Sequence, residues 1–283
     1  MRKLALSDKI LLKVDKAARY IGGEVNSVMK DKNEVDIRFA MCFPDVYEIG
    51  MSNLGMMILY NMFNQREDVW CERLFSPWPD LDKVMREQNI PLFALESQEP
   101  IRDFDFLGIT LGYEMCYTNI LQVLDLSGIP LKSADRGEDF PIVIGGGACA
   151  YNPEPLAPFF DLFYIGEGET VYDALFDAYK ANKKVGGSRR DFLLAAAKIP
   201  GIYVPSLYEV TYKEDGTIAS FVPTEEGVPE TADHRYGKRI SCSGGTGCST
   251  YQGYTGSCDS GNPARMHPWM SFLPGRNDLP SYP

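Results

Sequence analysis

Two hydrophobic spacings alternate along roughly the first 225 residues, each cluster closed by turn residues. A β-branched and aromatic run predicts a strand over 35–42. The turn Phe43-Pro44-Asp45 follows, and Leu54, Met57, Ile58, Tyr60 and Met62 then recur at helical spacing, predicting a helix over 53–64. Further strands are expected at 92–95, 106–111, 142–144 and 162–165, with helices at 81–88, 117–126, 155–160 and 170–180 between them. After Arg190 come a short helix and two strand-like segments, 206–212 and 218–222, joined through Glu214-Asp215-Gly216 as a hairpin. Strands that alternate with helices predict an α/β, Rossmann-like fold: an open, mainly parallel sheet with helices on both faces, carrying a small β-hairpin appendage. Residues 1–30 read as an amphipathic lead-in helix and the turn Tyr20-Ile21-Gly22-Gly23-Glu24. The expected organisation is a lead-in at 1–30, a Rossmann-like domain at 31–185, a helix and hairpin extension at 186–228, and an irregular tail at 229–283.

Composition narrows the function. A net charge of -11 without a basic stripe argues against direct nucleic-acid binding. No run of 18 apolar residues predicts a membrane span. The apolar start is broken by Asp8 and Lys9 with no small-residue cleavage site after it, so a cytoplasmic protein is expected. Cys42, Cys71, Cys116 and Cys149 lie too far apart in sequence for a metal-ligand pattern and are expected to be neutral thiols. Met51, Met56, Met57 and Met62 read as core filler.

The chemistry-bearing residues follow predicted strands, where an open parallel sheet forms its binding crevice. Asp45-Val46-Tyr47-Glu48-Ile49-Gly50 follows the first strand as D-x-Y-x-x-G; Gly112-Tyr113-Glu114 follows a middle strand; Gly145-Gly146-Gly147 follows the next; Gly166-Glu167-Gly168-Glu169 closes the set. Glycine at a strand end admits close backbone approach to a ligand, although one such glycine alone marks a plain turn equally well. The candidate cofactor contacts are Asp45, Tyr47, Gly50, Gly112, Tyr113, Gly145, Gly146, Gly147, Gly166, Glu167, Gly168 and Glu169, with no catalytic or metal-ligating residue among them. A dehydrogenase is disfavoured because no G-x-G-x-x-G follows the first strand.

These loops, with Tyr20 to Glu24, the run from Phe43 through Met51-Ser52-Asn53-Leu54-Gly55, and Asn152-Pro153-Glu154-Pro155, carry a resemblance. Residues 1 to about 225 resemble the amino-terminal, cobalamin-binding-like region of radical S-adenosylmethionine (SAM) proteins. The resemblance implies that a Rossmann-like domain precedes a barrel whose C-x3-C-x2-C loop holds a [4Fe-4S] cluster and SAM. It implies cobalamin as a possible ligand of this domain and the barrel as its partner. His-on cobalamin proteins carry D-x-H-x-x-G in the first loop. Tyr47 stands at the histidine position, which excludes that mode of cobalt ligation. The alternative is a non-catalytic binding module for a nucleotide or a protein partner.

The tail bears on the same question. From 241 to 271 there is no Leu, Ile, Val or Phe, so this stretch cannot bury a core. Shifted by one base, the codons of Met266-His267 must read cysteine and those of Trp269-Met270 must read glycine, while Met270-Ser271 reads cysteine when the serine codon begins with T. With permissive codons, 264–281 becomes RGCIRGCRFCQAGMTYRP, which contains C-x3-C-x2-C. The expectation is a frameshift between about residues 225 and 240, with the catalytic barrel missing from the chain as translated.

Overall fold

The computed structural model describes residues 4–230, so apart from residues 229 and 230 the expected out-of-frame tail lies outside the described residues. Six strands form one sheet in the order β2-β1-β3-β4-β5-β6: β1 (Ile37–Phe43), β2 (Val69–Phe75), β3 (Phe106–Thr110), β4 (Ile142–Gly146), β5 (Leu162–Tyr164) and β6 (Ile202–Tyr203). The first five run parallel and β6 is antiparallel to β5. The helices are α1 (Asp8–Leu11), α2 (Ala18–Ile21), α3 (Tyr47–Met51), α4 (Leu54–Gln65), α5 (Pro79–Gln88), α6 (Tyr117–Leu126), α7 (Tyr172–Lys184) and α8 (Arg189–Ala196). The expected α/β fold is therefore present, with β7 (Tyr208–Tyr212) and β8 (Ile218–Pro223) as the antiparallel hairpin.

Both faces of the sheet are covered, which is why β1 is buried at every position rather than at alternate ones. On one face Ile37, Phe39 and Phe106 pack under Phe63 of α4, Phe176 of α7 and Phe192 of α8. Phe39 meets Phe63 edge-on at 5.0 Å, and Gly108 leaves the room its ring needs, since a Cβ there would lie 2.3 Å from Phe39. On the other face Ala40, Leu107 and Val143 meet Leu81 and Met85 of α5, Ile120 and Val123 of α6, and Leu6, Ile10 and Val14 of the lead-in.

Several expectations need correction. The lead-in is two single helical turns rather than one helix. Its i, i+4, i+8 burial at Leu6, Ile10 and Val14 mimics helical periodicity, but the chain bends between them, where the Asp15 N–H donates to Asp80 Oδ2 at 2.7 Å. Residues 92–95 form no sheet strand; they pair backbone groups piecemeal, Leu92 N–H to the Leu126 carbonyl and Leu95 N–H to the Arg73 carbonyl. Residues 154–159 wind as a 3-10 helix, Pro158 being unable to donate within an α-helix. The strand at β2 was not anticipated because Glu72 and Arg73 interrupt its apolar run, yet all seven residues are buried.

Those two charges are tolerated because each is paired, Arg73 with Glu96 beyond the sheet edge and Glu72 with Arg38 on the neighbouring strand β1. Arg73 donates through Nε to Glu96 Oε1 and through its backbone N–H to Glu96 Oε2, both at 2.6 Å, and its Nη2 reaches Ser27 Oγ at 2.9 Å. Glu72 accepts from Arg38 at 2.5 Å and from the Ser97 N–H at 2.8 Å. Further along the same edge, the Lys30 ammonium donates to the carbonyls of Asn64, Arg66 and Val69, and Trp70 Nε1 donates to the Val28 carbonyl at 3.0 Å. Side chains and loops thus occupy the edge where another strand could otherwise pair.

Candidate functional site

The strand order reverses direction between β1 and β3: β2 lies to one side of β1, and β3, β4 and β5 follow on the other. In a parallel sheet the carboxyl ends at such a switch point diverge into a crevice. The connections leaving β1, β3 and β4 meet there. The Tyr113 hydroxyl donates to Asp45 Oδ2 at 2.6 Å, tying the loop after β3 to the loop after β1. That bond to a carboxylate holds the Tyr113 phenol above its ordinary titration range. Asp45 Oδ1 also accepts from the Val46 N–H at 2.7 Å, and the Asn119 side-chain amide donates to the Pro44 carbonyl at 2.9 Å.

The loop after β4 is bound to the loop after β3 through backbone. Leu111 N–H donates to the Gly146 carbonyl at 2.6 Å and Cys149 N–H to the Leu111 carbonyl at 2.9 Å. This approach requires Gly147, whose φ is +115° and whose added Cβ would sit 2.9 Å from the Leu111 carbonyl oxygen. Gly145 faces inward, where a Cβ would press on Phe163 at 2.6 Å, so its role is packing. Gly112 and Gly146 differ. A Cβ at Gly112 would meet nothing within 4 Å, and at Gly146 only the Tyr172 hydroxyl at 3.8 Å.

The remaining candidates lie further round. Gly166 has φ +145°, the Glu167 carbonyl accepts from the Tyr164 hydroxyl at 2.6 Å, and Gly168 packs on Leu59. Glu169 sits in the short 3-10 turn ahead of α7. D-x-Y-x-x-G is not an open loop: after Val46 it winds into α3, and Gly50 is a packing position whose Cβ would overlap the Phe75 ring at 2.2 Å. Tyr47 is engaged elsewhere. Its hydroxyl donates to Glu24 Oε1 at 3.1 Å and its ring stands edge-on to Phe75; burial, helped by the Glu24 carboxylate, raises its titration range. Beside it lies a cavity of about 20 Å³, lined by Tyr20, Tyr47, Arg73 and Ser76, whose buried hydroxyl lacks a hydrogen-bond partner; the space suits one water.

The structure therefore brings together Asp45, Gly112, Tyr113, Gly146 and Gly147, and turns Tyr47, Gly50 and Gly145 to framework roles. Asn119 and Leu111 belong to the site but were not anticipated; they act through a backbone carbonyl and through backbone groups, which leave no residue-type signal. Among the described residues no His/Cys/Asp/Glu group is placed to hold a metal. Cys42 and Cys116 are buried and Cys149 partly so, and burial raises all three thiols. No described helix is long and apolar enough to cross a membrane.

The geometry can be set beside known proteins. The family model described as radical SAM proteins, N-terminal, matches residues 55–205, more than half of the chain. An uncharacterized protein of Methanocaldococcus jannaschii is 28% identical over 131 residues, covering 46% of this chain and 24% of the relative. The matched part thus spans about a quarter of that relative's length. No solved structure matches.

Proposed function

Since the chain belongs to the family of radical SAM proteins, N-terminal, we propose that it is the cobalamin-binding-like domain of a radical SAM iron-sulfur enzyme whose catalytic [4Fe-4S]/SAM barrel is missing from this chain. The observation that carries the reading is the convergence of three strand-end loops at the β1/β3 switch point, with Asp45 bound to Tyr113 and the Gly147 backbone seated against Leu111. A flat, bulky corrinoid needs backbone it can approach without side-chain obstruction. The open space over Gly112, with Gly146 beside it bounded only by the Tyr172 hydroxyl, meets that need.

Asp45, Gly112, Tyr113, Gly146 and Gly147 would hold the ligand, with Gly166 to Glu169 flanking it. Tyr47 would not ligate cobalt, because its hydroxyl is committed to Glu24 and a neutral phenol is a weak donor. In the parent, an iron-sulfur cluster and SAM held by the barrel would supply the radical chemistry. The part of this chain is to bind and orient.

The test is titration of the frame-restored parent with hydroxocobalamin, followed by desalting. Retained colour with an altered spectrum is expected. A colourless protein that still cleaves SAM would leave the radical reading intact, and the crevice would then be a platform for a nucleotide or protein partner.

A further inference from the structure

The hairpin is amphipathic in a way that the described domain does not satisfy. Tyr208, Val210 and Tyr212 share one face of β7 and pair across the hairpin with Pro223, Phe221 and Ile218; the other, mainly polar face carries Glu209, Thr211 and Ser220, with Val222 opposite Glu209 and Thr211 bonded to Ser220 at 2.6 Å. Only the inner half of the apolar face is covered. Tyr208 and Phe221 stack at 5.1 Å and both rest on Tyr203 at the sheet edge, whereas Tyr212 and Ile218 are 65% and 54% exposed. A two-stranded hairpin is marginal by itself, and a projecting apolar face of this kind marks an interaction surface.

The course of the chain points to the occupant. After β8 it returns to the domain, Thr224 N–H donating to the Leu207 carbonyl at 2.8 Å and Val228 burying its side chain. Polypeptide that follows Val228 therefore starts near Leu207, at the base of the apolar face, where a short tether gives a high effective concentration. We propose that the uncovered half of this face, centred on Tyr212 and Ile218, is the docking surface for the barrel domain joined downstream in the parent. The proposal rests on the radical SAM reading above.

Hydrogen exchange of the frame-restored parent, compared with the 283-residue chain, tests it. In the parent the amides of β7 and β8 should exchange at least about tenfold more slowly than in the shorter chain. In the parent, Tyr212→Glu with Ile218→Glu should abolish that protection and open the segment after Val228 to protease, while Val222→Glu on the opposite face should change neither. Iron content, measured in parallel, separates the two ideas. A parent with a cluster but an unprotected hairpin overturns the docking surface alone, and a parent without a cluster overturns the radical reading. Equal protection in the short chain, with a dimer in sedimentation, would make a second copy the occupant and overturn the proposal.

Discussion

Replacing Glu96 by glutamine tests how the β2 edge is held. Glu96 and Arg73 are fully buried, and the carboxylate accepts both the Arg73 Nε–H and the Arg73 backbone N–H at 2.6 Å. Burial pushes the Glu96 carboxyl up while the guanidinium pulls it back. Glutamine keeps one acceptor oxygen but removes the charge and turns an NH2 group toward Arg73. Losing one member of a buried ion pair costs about 3–5 kcal/mol. The lower end applies here, because Glu24 remains 3.4 Å from Arg73 Nη2 and the Tyr60 ring lies 4.6 Å from the guanidinium carbon. About 3 kcal/mol corresponds to a fall in Tm of roughly 6–12 °C for a domain of this size. Arg73→Met together with Glu96→Gln should recover most of the loss, since two neutral side chains strand no charge. Urea unfolding followed by circular dichroism gives each ΔΔG and their coupling. A single-variant cost below about 1 kcal/mol, or a double variant as unstable as the sum of the singles, would refute the reasoning.

Gly147→Ala should cost about 1–3 kcal/mol in the same unfolding assay, since it combines positive φ with a clash on the Leu111 carbonyl. Gly146→Val should leave folding nearly intact but abolish retention of hydroxocobalamin by the parent, and Tyr47→Phe should leave the cobalt spectrum unchanged. Acid unfolding should begin as pH falls through about 4.5: Arg19 and Lys16 hold Glu48 down at about 2, and Arg66 and Lys180 hold Asp68 lower still. Both carboxylates therefore contribute stability above the unfolded carboxyl range that is lost as pH falls, between about 4.5 and 2 for Glu48, weakly because it is exposed, and from 3.8 to below 2 for Asp68, and a pH series of melts with Asp68→Asn reads the larger share. Resequencing the gene should reveal one inserted or deleted base between about codons 225 and 240, and the 283-residue chain should retain no stoichiometric iron after reconstitution.

The parallel sheet was legible because its central strands are nearly continuous apolar runs separated by periodic helices, as at Phe106–Thr110 and Tyr117–Leu126. β2 was hidden because its charges are neutralised by Arg38 and Glu96, distant in sequence, and β6 because two residues show no periodicity. In the site, Asp45, Gly112 and Gly147 stand out by residue type and position after a strand. The diversion of Tyr47 to Glu24 could not be read in advance, because the contact depends on how the lead-in wraps β2. D-x-Y-x-x-G looked like a loop since its glycine suggested a turn; Gly50 instead makes room for the Phe75 ring against a helix.

The seal on β2 is also local in sequence. Lys30, Val28 and Ser27 precede β2 in the chain, and Glu96 and Ser97 come before β3 begins at Phe106. Every residue these β2 contacts need is thus encoded by position 97, ahead of four of the six strands. The four remaining strands, β3, β4, β5 and β6, all lie on the β1 side in chain order, so none of them has to insert at the sealed flank.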